Sequence, residues 1–134
     1  MLRKGLILAR LLGYSGRAPH AESLVPRGLA GLPLARFMER LPEHDEAWRR
    51  RVAAQAARGR VLRYVVVATA RGVRAGLKAV PRGSEIGALS GTRNLLSFTT
   101  RRYRSEPLVV AGPGAGPEVT AAGILNDIQS LASE

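Results

Sequence analysis

The apolar positions of this chain change period part-way along, and the change divides it into helical and extended stretches. In residues 2–12, Leu2, Leu6 and Ala9, flanked by Ile7, Leu8 and Leu11, recur at the spacing of one broad helix face. Gly13 supplies the stop. Residues 14–21 are polar and turn-rich, 22–25 read as a short extended piece ended by Pro26, and 28–33 as loop or a single turn. A short helix is expected over 34–41, closed by Pro42, and a longer one over 43–58. The longer helix carries Glu43, Asp45 and Glu46 in its first turn, Arg58 in its last and Gly59 just beyond, as the helix dipole and C-terminal capping favour. Trp48, Val52, Gln55 and Ala56 share one face, and Arg49, Arg50 and Arg51 wrap the solvent side. From there the pattern is that of strands. Residues 60–69 form a β-branched run typical of a buried strand. A turn at Arg71 and Gly72 leads to the alternating run 73–80, which completes a hairpin. After a Gly/Ser-rich connection at 81–91, strands are expected at 94–100 and 108–111 around a basic turn at 101–106, and a last helix from Pro117 to about residue 130. This order predicts an α+β fold: helices followed by a mainly antiparallel sheet and a C-terminal helix.

One stretch in this pattern carries chemistry. Leu108-Val109-Val110-Ala111 breaks into Gly112-Pro113-Gly114-Ala115-Gly116, and Pro117 and Glu118 then open the Ala-rich final helix. Pro117 suits the first helical position, and Glu118 complements the positive end of the dipole. A strand, a glycine loop and a helix start together present free N–H groups that can hold a phosphate or a polarised ligand. The spacing is not the dinucleotide fingerprint G-x-G-x-x-G, because Pro117 follows Gly116 where the pattern would continue. The loop is therefore expected to support a cofactor held mainly by something else. A tight strand-to-helix turn, with Gly123 and the alanines allowing close packing, explains the same residues equally well.

Composition narrows the function. At 134 residues and 46% hydrophobic content, the chain is about one domain long and can bury a core built on Leu, Val, Ala and Ile. It has no cysteine, which excludes disulfides, thiolate chemistry and zinc–thiolate sites. No apolar run approaches the roughly 20 residues that a membrane span needs. Arg10 interrupts the first apolar stretch, so the N-terminus reads as an amphipathic helix of a cytoplasmic protein rather than a signal peptide. The net charge of +11 is almost all arginine, scattered over the chain, and base-stacking aromatics are nearly absent at 4%. That combination argues against nucleic acid as a partner. There is no H-x-x-x-H, paired carboxylate or G-x-S-x-G motif, and no metal site is expected. His20 and His44 stand in polar contexts and read as surface histidines. Lys4, one of two lysines, sits among Leu2, Leu6, Ile7 and Leu8. There it can act as a general acid or bind an anion, although a snorkelling surface lysine is the commoner case.

The run GPGAGPEVTAAGILNDI, preceded by PLVVAG and by Asn94-Leu95-Leu96-Ser97-Phe98, resembles the C-terminal end of homoserine dehydrogenase, in the form fused behind aspartokinase. RGRVLRYV, FMERLPEHDEAW and RKGLILARLLG extend the resemblance over nearly the whole chain. The resemblance implies an NAD(P)-dependent oxidoreductase that reduces aspartate semialdehyde to homoserine, on the path to threonine and methionine. It implies that Lys4 is the proton donor, and that Gly116, with Gly114 beside it, contacts the cofactor. The strands at 60–80 and 94–111 resemble the family's dimerisation sheet, and the last helix would pack on a nucleotide-binding domain. Residues 1–134 then form a partial catalytic and dimerisation domain, with the 112–134 loop and helix facing a Rossmann domain that lies outside this chain. Such a chain is expected to be inactive alone and to act as a homodimer or docked on a Rossmann-domain chain. The alternatives are one half of a split enzyme and a non-catalytic dimerisation or interaction module.

Overall fold

The computed structural model describes residues 2–17 and 21–133, and the chain divides into two compact units between Gly87 and Ala88. The division falls inside the Gly/Ser-rich connection. The first unit contains helices α1 (Leu2–Leu11), α2 (Leu34–Arg40) and α3 (Asp45–Ala56) and strands β1 (Arg60–Thr69) and β2 (Gly72–Pro81). The second contains strands β3 (Arg93–Phe98) and β4 (Leu108–Pro113) and helix α4 (Pro117–Ala132). Helices, antiparallel strands and a closing helix follow in the expected order. The strands form two separate two-stranded sheets, β1 with β2 and β3 with β4.

In the first unit, β1 and β2 pair from Arg60↔Pro81 to Thr69↔Gly72. The hairpin loop is Ala70 and Arg71, so Gly72 opens β2 instead of sitting in the turn. Along β2, Val73 and Ala75 are buried and Arg74 between them is exposed, the alternation read from the sequence. Helix α1 lies on this hairpin through Gly5 and Ala9. A Cβ on Gly5 would overlap Val66 and come within 3.2 Å of Val73 Cγ1, so the close approach of helix to sheet needs a glycine there. Ala9, Leu29, Val73 and Ala75 are the buried apolar side chains among the described residues. Leu29 reaches that core from a single 3-10 turn, Arg27–Leu29, in a stretch whose pattern allowed either loop or a single turn.

The free edge of β2 is sealed by the segment after residue 20. Ala21 bridges Ala75 in parallel, and Glu22 N donates to Ala75 O at 3.1 Å. Leu77 N donates to Glu22 Oε2 at 3.0 Å, and Tyr64 Oη donates to the Glu22 carbonyl at 3.0 Å. One glutamate thus occupies strand-edge groups that would otherwise be open to another strand. On β1, Arg63 donates from Nε to Ile86 O at 3.1 Å and from Nη2 to Gly87 O at 2.7 Å. This guanidinium ties the end of the first unit to its hairpin.

The helix expected over 43–58 begins later. Leu41–His44 is a 3-10 turn with Pro42 at its start, and α3 follows from Asp45. Helix α3 packs against β1 without a fully buried residue; Trp48 and Gln55 are half-buried, and Val52 and Ala56 are exposed. Its triple arginine is engaged within the helix. Arg49 and Arg50 pair with Glu46, and the Arg51 guanidinium lies 5.1 Å from the Trp48 ring centroid.

In the second unit, β3 and β4 pair from Arg93↔Pro113 to Phe98↔Leu108. Strand β4 therefore takes in Gly112 and Pro113, which the sequence placed in the loop. A proline is tolerated there because it ends the strand. None of the residues in α4 is buried, and Ile124, Leu125, Ile128 and Leu131 are each more than half exposed. Among the described residues, no helix is long and apolar enough to cross a membrane.

Candidate active site

The glycine run from the end of β4 to the start of α4 has three glycines that differ in their reasons. Gly116 has φ +137°, a backbone state that side chains with a Cβ rarely adopt. Gly114 has no positive φ, but a Cβ on it would overlap the side-chain amide of Asn94. Gly112 meets neither condition: its φ is not positive, and a Cβ there would find nothing within 4 Å. Gly114 N donates to Thr92 O at 3.2 Å, which folds the loop back toward the start of β3.

Gly116 is also the residue that caps α4, with Pro117 in the first turn. Its carbonyl accepts from Thr120 N at 3.1 Å and from Thr120 Oγ1 at 2.9 Å, so the first turn is held from inside. No side chain caps the N–H groups at this helix start. An uncapped helix start leaves N–H groups without intrahelical partners. Glu118 already answers the dipole there, so what the loop offers a ligand is close backbone approach rather than net positive charge. The bare backbone at Gly112 and Gly116, where a Cβ would project into open space, fits a closely approaching dinucleotide.

Lys4 is exposed on α1, one residue before the glycine that touches the hairpin. Ile7 and Leu11, three and seven residues on, are 59% and 79% exposed. Lys4 makes no hydrogen bond or ion pair among the described residues. A lysine with an unspent ammonium beside bare apolar surface suits the anion-binding or proton-donating role considered for it. Lys4 belongs to the first unit, and Gly114 and Gly116 to the second. Of the two histidines, His44 is half-buried in the 3-10 turn before α3, and His20 lies outside the described residues. Sequence reasoning missed Asn94 and Thr92. Both act across a strand pair, and no local signal marks them. Thr120, four residues after Gly116, follows a helix-start spacing that could have been read.

The homoserine dehydrogenase family model matches residues 1–129. The chain belongs to the homoserine dehydrogenase family. It is 43% identical to the chloroplastic bifunctional aspartokinase/homoserine dehydrogenase 2 of Zea mays, over 98% of this chain and 15% of that protein. It is 42% identical to the homoserine dehydrogenase of Emericella nidulans, over 94% of this chain and 37% of that protein. The bifunctional aspartokinase/homoserine dehydrogenase 2 of Escherichia coli is 39% identical over 98% of this chain and 17% of its own length. A crystal structure of a Candida auris protein of unknown function matches with a TM-score of 0.84 at 37% identity, over 99% of this chain and 38% of that one. The chain thus spans well under half the length of these relatives. Lys4, Gly114 and Gly116 all fall inside the part that the homoserine dehydrogenase model matches.

Proposed function

We propose that this chain supplies the proton donor, the dimerisation strands and a late cofactor contact of an NAD(P)-dependent homoserine dehydrogenase, which interconverts aspartate semialdehyde and homoserine. The dinucleotide is held mainly by a nucleotide-binding domain outside this chain, and when bound it supplies the hydride. Lys4 Nζ holds the proton that the substrate carbonyl oxygen takes up, and its charge stabilises the alkoxide as it develops. Gly114 and Gly116 let the main chain meet the cofactor at the start of α4. The bare backbone of this loop at an uncapped helix start, inside the matched part of the chain, is the observation that carries the reading. On this reading the chain alone turns nothing over, and α4 docks on the nucleotide-binding domain.

The test is an assay of semialdehyde-dependent NADPH oxidation, first with the purified chain and then with a nucleotide-binding domain joined to it or co-expressed. No turnover alone and turnover in the assembly are expected. In the assembly, Lys4→Met should lower kcat by about 10²- to 10⁴-fold, the usual worth of a general acid, with the melting temperature unchanged. Enzyme-like rates from the chain alone would overturn the need for a second domain. Assembly without activity would favour an interaction module, a reading that the exposed apolar residues of α4 also accommodate.

A further inference from the structure

We infer that Asn94 is the positioning residue of the glycine loop, the side chain that sets how residues 112–116 meet a bound dinucleotide. The inference rests on the reading of that loop as a cofactor contact. The register of β3 and β4 places Asn94 opposite Gly112. Two residues later the chain turns back, and Gly114 N donates to Thr92 O. The Asn94 side chain lies against Gly114 on the exposed side of this fold. A Cβ built on Gly114 would overlap Asn94 Nδ2 and Cγ and stand 3.1 Å from its Cβ. Because Gly114 has no positive φ, its lack of a side chain answers to Asn94 and not to backbone strain.

Asn94 is exposed, and its carboxamide makes no hydrogen bond among the described residues. A carboxamide carries two donors and an acceptor, and here they are unspent within the chain. Its hold on Gly114 is therefore packing: it is a wedge against the loop residue that follows β4. Gly116 and Pro117 follow within three residues of Gly114, so the wedge sets their approach as well. Small misplacements of binding groups have large kinetic effects. The effect should fall on the dinucleotide, the group that this loop meets in the reading above.

The experiment uses the enzyme assembled with its nucleotide-binding domain and three variants: Gly114→Ala, Asn94→Ala and the two combined. Gly114→Ala drives a methyl into Asn94 and should raise the dinucleotide KM about tenfold, the scale of an overpacked site. Asn94→Ala should raise it by a smaller factor, with kcat and the semialdehyde KM near wild type. The double variant should return to the Asn94→Ala value, because its methyl finds the space vacated. A double variant as impaired as Gly114→Ala would overturn the inference, and so would an Asn94→Ala enzyme with an unchanged dinucleotide KM. Hydrogen exchange at residues 112–116, measured without cofactor, should quicken in Asn94→Ala; unchanged exchange also overturns it. An assembled wild type that binds no dinucleotide would overturn the cofactor reading instead, and the exchange measurement would still decide whether Asn94 holds the loop.

Discussion

At Gly116 the backbone sits at φ +137°, while at Gly112 nothing in the chain lies within 4 Å of where a Cβ would be. Substitution separates the two. Gly116→Ala forces a side chain into a strained conformation that costs about 1–3 kcal/mol, so it should destabilise the start of α4 as well as weaken dinucleotide binding. Gly112→Ala should fold as wild type and show its cost only when a dinucleotide is bound. Melting curves beside dinucleotide KM values for the assembled enzyme check both. A Gly112→Ala enzyme that binds dinucleotide as well as wild type would mean that the cofactor does not approach that face of the loop. The glycine run itself was plain in the sequence. Which glycine serves strain, which serves Asn94 and which serves open approach was not, because the three differ only in their surroundings.

Among the elements, the junction of α2 and α3 shows a local signal misread by a few residues. Pro42 has no N–H to continue a helix, and the chain passes through the 3-10 turn Leu41–His44 before α3 begins. Arg40 spans the junction, donating from Nε and Nη2 to the two Glu43 carboxylate oxygens at 3.1 and 3.2 Å. The Arg40 hydrogen bond holds the Glu43 carboxyl below its ordinary value, and Glu43 in turn raises Arg40 above its own. A depressed carboxyl stabilises the fold above the unfolded-state carboxylate pKa, and that contribution is lost as pH falls through the folded value. The pair is exposed, so its effect on global stability is small. The sharper readout is local: Arg40→Met should move the Glu43 titration, followed by NMR, upward to the ordinary glutamate range. A titration that stays where it was would show that Arg40 is not the cause.

At the scale of the whole molecule, the two units differ in what they bury. Among the described residues, the buried apolar ones (Ala9, Leu29, Val73 and Ala75) all belong to the first. In the second, no described residue is fully buried, and α4 carries Ile124, Leu125, Ile128 and Leu131 largely in solvent. A two-stranded hairpin is marginal in water by itself, and so is a lone helix of four turns. Amides of β3, β4 and α4 should therefore exchange much faster than those of β1 and β2 in the isolated chain. They should gain protection when a nucleotide-binding domain is supplied. Equal protection of both units in the isolated chain would sink this prediction, and with it the idea that α4 waits for a partner.

What the sequence determined alone was the set of elements and most of their ends. Gly13, Gly59 and Pro117 mark stops and starts, and β1 begins at Arg60 and ends at Thr69 as its β-branched run does. These features depend on neighbours within a few residues, where propensity and capping act. The family was legible for a similar reason, since its motifs are contiguous, and the resemblance pointed to Lys4, Gly114 and Gly116. Tertiary structure alone decided the contacts that join distant residues. Glu22 holds Leu77 from 55 residues away, Gly5 admits Val66 and Val73, and Asn94 wedges against Gly114. Each depends on which residues the strand register and helix packing bring face to face. A pattern read along the chain carries no term for that pairing, because it is set only when the chain folds back on itself.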